Sequence, residues 1–97
     1  MLNSKERSKL RSIAANTETI LQVGKGGVGA NFIKQVSDAL EAREIIKINV
    51  LKNSDESADD LVRSIAESVG AEPVASIGNK IILYKKSSKK DFKHILD

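Results

Sequence analysis

The stretch Val23-Gly24-Lys25-Gly26-Gly27-Val28-Gly29 decides how this 97-residue chain is read. An apolar run over 19–23 leads into it, and an amphipathic segment over 30–43 leads out. It is therefore a glycine-rich loop between a strand and a helix. Glycine lets backbone approach a ligand closely and adopts positive φ without a steric penalty. N–H groups beside a helix N-terminus attract anions, and Lys25 adds a full positive charge. A tight turn with no ligand needs one or two glycines. Four within 24–29, with a lysine among them, favour contact with phosphate.

Working outward, residues 4–15 read as a helix capped by Asn3 or Ser4, with Glu6 placed three after Asn3 as in a capping box. Leu10, Ile13 and Ala14 give it a narrow apolar stripe, and Lys5, Arg7, Lys9 and Arg11 occupy the rest of its surface. Lys5/Lys9 and Arg7/Arg11 are like charges at i, i+4, mildly unfavourable to the helix. Phosphate binding and an ordinary solvated face explain them equally well. After the loop, Phe32, Ile33, Val36, Ala39 and Leu40 form the buried stripe of a second helix. Lys34 lies in its first turns, within reach of the same ligand as Lys25.

The run Ile45 to Leu51 alternates, with Ile46, Ile48 and Val50 on one face and Lys47 and Asn49 on the other. A helix between this strand and the first predicts a parallel pair. A third helix starts at Ser57, with Asp60 three later. Its stripe is Leu61, Val62, Ile65, Ala66 and Val69, and Gly70 and Pro73 end it. The acidic residues over 55–60 suit that helix's N-terminal dipole and need no metal or catalytic role. Gly78-Asn79 then joins two strands in a turn suited to type II′. Ile81 and Leu83 share one face of the last strand, Ile82 and Tyr84 the other. Residues 86–97 read as a basic tail with a short helix through Phe92 and Ile95, following a domain over 1–85. The expected fold class is α/β (α+β): a two-layer α-β-α-β-α-β-β sandwich, a four-stranded mixed sheet with its helices on one face.

Charge is segregated although the net is only +3. Residues 1–36 carry six basic and two acidic side chains, 37–79 four and nine, and 80–97 six and two. Two basic ends flank an acidic middle, which suggests a polyanionic partner. The absence of cysteine excludes disulfides and thiolate metal sites, and His94 is the only histidine. A zinc site built on histidines, a Ser-His-Asp triad and a Cys-His pair therefore do not fit, and neither catalysis nor a cofactor is expected. The sequence has no apolar run of membrane-spanning length and no signal-peptide pattern at its start, so a cytoplasmic monomer is expected. With 3% aromatic residues, base stacking cannot be a large term.

Several segments together resemble the YhbY-like proteins, the stand-alone bacterial form of the CRM (chloroplast RNA splicing and ribosome maturation) domain. The resemblance spans 2–85. It rests on Lys5-Glu6-Arg7 with Leu10 and Arg11, Gly24-Lys25-Gly26-Gly27-Val28, Ala39-Leu40-Glu41, Glu44-Ile45-Ile46-Lys47-Ile48, Ile77-Gly78 and Ile82-Leu83-Tyr84. Any one of these is weak, but all of them in order at family spacing are specific. The resemblance implies an RNA-binding domain whose GxxG loop is Gly24-Lys25-Gly26-Gly27, and a fold like the C-terminal domain of translation initiation factor three. It also implies association with ribosomal RNA in precursors of the large ribosomal subunit. The chain departs from the family pattern at Gly29, where a Ser or Thr often starts the second helix, and in lacking a proline before the first strand.

Two other classes compete. Gly24 to Gly29 also fits G-x-G-x-x-G, the dinucleotide-binding fingerprint. Against it, the chain holds one βαβ unit, its second strand alternates instead of being apolar on both faces, and Leu51-Lys52-Asn53 offers no acidic residue for a ribose. No Gly-Lys-Ser/Thr follows, so a P-loop fits less well still. A protein-only ribosome adaptor docking through the acidic middle is the other alternative. Nucleotide absorbance of the purified protein tests the first, and salt-sensitive RNA binding separates the second.

Overall fold

The computed structural model describes residues 2–89 and 94–96. Its elements are α1 (Ser4–Ala15), β1 (Leu21–Val23), α2 (Ala30–Arg43), β2 (Ile45–Val50), α3 (Ala58–Val69), β3 (Glu72–Ile77) and β4 (Lys80–Tyr84). The sheet order is β1-β2-β4-β3. β1 and β2 are parallel, as the intervening helix requires, and the other pairs are antiparallel.

The local signals act as their chemistry dictates. Asn3 accepts from the Glu6 N–H at 2.7 Å and Glu6 returns a bond to the Asn3 N–H, completing the capping box of α1. Ser57 accepts from the Asp60 N–H at the start of α3. Gly70 ends that helix in the left-handed region at φ +69. Gly78 takes φ +60 while Asn79 does not take positive φ, the pattern of a type II′ turn. Of the suggested helix through Phe92 and Ile95, Phe92 lies outside the described residues, while Ile95 and Leu96 stand in a turn and not in a helix.

The mixed sheet with three helices is as expected, but the layering is corrected. The helices do not share one face. α2 and α3 cover Val23, Ile46, Ile48, Val50, Ile81 and Leu83, while Leu10 and Ala14 of α1 pack with Ile45, Val74, Ile82 and Tyr84 on the opposite face. The physical reason lies in β4. Ile81, Ile82, Leu83 and Tyr84 are consecutive and apolar, so both faces of that strand need cover. A two-layer arrangement would leave Ile82 and Tyr84 in water.

Arg7 locks α1 in this position. Its Nη1 donates to the carbonyls of Pro73 at 2.6 Å and Val74 at 2.9 Å. These sit where the β3–β4 register shifts between Pro73 and Ala75. A bulge frees carbonyls from the ladder, and the guanidinium satisfies them.

The far end of the sheet is closed by a buried acid. Glu44 follows α2, adopts φ 65 and is fully buried. Its carbonyl accepts from the Lys85 N–H. Its carboxylate accepts from the Ser87 N–H at 2.7 Å and the Ile95 N–H at 2.9 Å, and meets His94 Nδ1. Burial pushes the Glu44 pKa up, but the hydrogen bonds from His94, Ser87 and Ile95 outweigh it and hold the pKa below the ordinary range. Glu41, one turn earlier, accepts from both Ser88 Oγ and Ser87 Oγ and from the Ser88 N–H. These bonds lower its pKa from 4.5 to about 2.

Two outcomes follow. Glu44→Ala leaves the buried Ser87 N–H and the half-buried Ile95 N–H unpaired and should destabilise the fold by about 2 kcal/mol or more in urea denaturation. Between pH 4.5 and about 2 the unfolded Glu41 carboxyl is protonated while the folded one is not. Stability therefore falls as pH drops through that window, and Glu41→Gln should flatten this acid limb in thermal melts.

Candidate nucleic-acid interface

The glycine loop sits where β1 ends against the segment leaving β2. The Leu51 N–H bonds the Val23 carbonyl at 2.8 Å, and a Cβ on Gly24 would meet Asn53 Oδ1 at 3.1 Å and Leu51 Cδ1 at 3.2 Å. A side chain at Gly24 would thus have to displace the ends of those two side chains. The Gly27 N–H closes a turn onto the Gly24 carbonyl at 3.0 Å, with Lys25 and Gly26 at its tip. Gly27 takes φ +70, so a side chain there is strained, whereas Gly26 has open space and no such φ. Among the described residues, no hydrogen bond engages the N–H groups of Lys25, Gly26, Val28 or Gly29. Gly29 caps α2 without a side-chain bond, leaving that helix N-terminus open to an external acceptor. Four unengaged backbone donors, a lysine and a helix N-terminus thus lie within one loop.

The expected basic residues separate into groups. Gly24, Lys25, Gly26 and Gly27 form the loop itself, and Lys34 is exposed one turn into α2. Lys5 and Lys9 are exposed on α1, on the other side of the sheet. Arg7 is engaged with β3 carbonyls. Arg11 lies at the end of α1 nearer the loop and lines a groove of about 240 Å³ with Lys47, Ile77, Lys80 and Ile82. Among the described C-terminal lysines, Lys85 and Lys86 are not brought to the loop. Lys85 and Lys86 adjoin Glu44 at the start of β2, whereas the loop meets its end, a strand length of about 17 Å away.

Lys47 and Lys80 are the residues that the sequence reading missed. Lys47 donates to the Ala14 carbonyl at 3.1 Å and Lys80 to Asn49 Oδ1 at 2.8 Å, so both ammonium groups are held over the sheet face beside α1. Gln22, opposite Asn49 in the register, continues that face to the strand that enters the glycine loop. The alternation of β2 had already put Lys47 and Asn49 on one face. With all helices assigned to the other side, nothing distinguished that face from ordinary solvent-facing surface.

A match to the CRS1/YhbY (CRM) domain model runs over residues 2–85. The chain belongs to the CRS1/YhbY (CRM) domain family. This chain is 46% identical over 89 residues to "Probable RNA-binding protein YqeI" of Bacillus subtilis, covering 92% of this chain and 93% of that protein. It is 24% identical over 88 residues to a protein of Haemophilus influenzae named "RNA-binding protein", covering 91% and 89% of the two chains. The solution structure of the hypothetical protein SAV1595 from Staphylococcus aureus, described as a candidate RNA-binding protein, superposes with a TM-score of 0.78. That pair shares 41% identity over 94% of this chain and 95% of the other. No helix among the described residues is long and apolar enough to cross a membrane.

For this CRM domain the glycines separate by experiment. Gly27→Ala places a Cβ at φ +70 and should cost about 1–2 kcal/mol of stability, whereas Gly26→Ala should leave the thermal midpoint unchanged. Arg7→Ala should also lower the midpoint, because two β3 carbonyls lose their donor. Its effect on any ligand is thereby confounded with folding, which the exposed Arg11 avoids.

Proposed function

We propose that this CRM domain binds RNA, and that its target is ribosomal RNA in precursors of the large ribosomal subunit, as the YhbY-like resemblance implies. The observation that carries the reading is the exposed glycine loop, with its unengaged N–H groups and Lys25, joined through β1 to a sheet face bearing Lys47 and Lys80 and flanked by Arg11 of α1. Phosphates sit on the loop and the sheet-face cations steer the strand toward it. The names of the relatives support RNA as the polyanion. The reading assigns binding and not catalysis, requires no cofactor, and carries a cytoplasmic location with it.

A monomeric state belongs to the same reading. β3 is an edge strand blunted by Pro73, by its bulge and by Arg7, features that discourage pairing with a second copy. The dinucleotide alternative has less support, since β1–β2 is the sheet's one parallel pair and no second half flanks the loop.

With four to six phosphates neutralised, log K against log salt should have a slope of roughly −3 to −5. A slope near zero would sink the electrostatic reading. Gly26→Asp, which the fold accommodates, should weaken RNA affinity by about tenfold or more, equal to ~1.4 kcal/mol. Arg11→Ala and Lys47→Ala should each weaken it as well, while Arg63→Ala on α3 should not. Crosslinking in cells, followed by sequencing of RNA from each ribosomal particle fraction, tests the target. Reads concentrated outside ribosomal RNA would overturn that assignment.

A further inference from the structure

Beside the glycine loop lies a cleft of about 460 Å³, bounded on its far side by Ser54, Asp55 and Glu56 before α3 and by Ser64 and Ser68 in the later turns of that helix. Its size is that of a site for one small ligand. The near wall is Lys25, Gly26 and Gly27, which offer hydrogen-bond donors, and Val28 and Ile33 add apolar surface. The far wall has the opposite chemistry. Ser64 Oγ spends its hydrogen on the Leu61 carbonyl, and Ser68 Oγ spends its own on the Ser64 carbonyl. Each hydroxyl therefore faces outward with lone pairs only. Ser54 Oγ is likewise committed, donating to the Glu56 carbonyl and accepting from its N–H. Among the described residues, the carboxylates of Asp55 and Glu56 at this wall have no hydrogen-bond donor.

One side of the cleft thus suits a phosphate, the middle suits a flat apolar face, and the far side suits a group rich in donors. Building on the RNA-binding reading above, we propose that the cleft takes one unpaired nucleobase of the bound strand and selects for a donor-bearing edge. Guanine fits this wall best. Its N1–H and N2–H₂ are adjacent donors that a single carboxylate accepts together, and unpaired RNA bases are read on this edge. Adenine and cytosine present an amino group beside an acceptor and fit less well. Uracil presents two carbonyls flanking one N–H, and those carbonyls face carboxylates, so it is the base this cleft disfavours. The acidic residues at 55–56 then have a role beyond the α3 dipole: they read the base while the loop holds its phosphate.

The experiment measures fluorescence anisotropy at one fixed salt concentration. The probes are a short labelled oligouridine and the same oligomer carrying one central guanosine. The wild-type protein should bind the guanosine oligomer more tightly by about fivefold or more, the lower end of what one bidentate base contact supplies. Asp55→Asn combined with Glu56→Gln removes negative charge and can strengthen binding to both probes, but the ratio between them should fall to near one. Ser64→Phe, at an exposed helix position, fills the cleft without changing charge and should also abolish the ratio while circular dichroism stays unchanged. Equal affinity of the wild type for the two oligomers overturns the base-reading proposal and leaves the backbone-binding reading standing. A ratio that survives both variants overturns it as well. Failure to bind either oligomer overturns both readings together.

Discussion

Strand β2 has to be satisfied on both faces, and the rest of the chain is arranged around that requirement. Its Ile46, Ile48 and Val50 are buried under α2 and α3, while Ile45 is buried on the side of α1. Parallel pairing with β1 fixes where the glycine loop emerges, because the loop must follow the end of β1 beside Val50 and Leu51. Antiparallel pairing with β4 brings Lys80 level with Asn49, and so places a second cation with Lys47 in the groove beside α1. The proposed binding surface is thus what remains after the core is closed. A slip of one residue in β2 would bury Lys47 and Asn49 under α2 and α3, costing both core and surface at once.

Glu44 meets the same requirement at the other end of the strand. A helix that runs directly into a strand must reverse within one or two residues, and here Glu44 makes that reversal at positive φ. For a side chain with a Cβ this is unfavourable. The carboxylate offsets it by accepting backbone N–H groups from the segment after β4. The C-terminal segment is consequently tied to the end of α2, with Ile95 and Leu96 packed on the core beneath α1. A position that reads as an ordinary polar helix end in sequence is an internal hub in three dimensions.

The elements themselves were legible because each carries local signals. Asn3 with Glu6, Ser57, Gly70 and Gly78-Asn79 are short-range devices whose chemistry is complete within a few residues. What was not legible required contacts distant in sequence. Arg7 reads as one of four equivalent cations on α1, and only the bulge in β3, 66 residues away, makes it different. The side on which α1 packs was encoded in the four consecutive apolar residues of β4, but this run counts only once it is clear that both faces of the strand must be covered. The glycine loop was read as a unit, whereas its glycines divide. Gly24 faces the ends of the Asn53 and Leu51 side chains, Gly27 holds a positive backbone angle, and Gly26 does neither.

That division bears on how a chain with so few aromatic residues could hold RNA selectively. Without stacking platforms, affinity has to come from phosphates, and phosphate contacts alone carry no sequence information. The charge layout around the loop gives such contacts a direction. Cations of the sheet face and Lys25 lie toward β1 and β2, whereas Asp55 and Glu56 lie across the cleft toward α3. In the proposed reading a backbone laid along the cationic side is stabilised, and one displaced toward α3 meets like charge. The acidic middle of the chain, which looks opposed to RNA binding when charges are simply summed, then sets the register of the strand on the loop. In that proposal a net charge of +3 understates the interaction, because the two signs act on different parts of the nucleotide. So proposed, the basic side attracts the phosphate, and the acidic side admits only the end of the nucleotide that carries no charge.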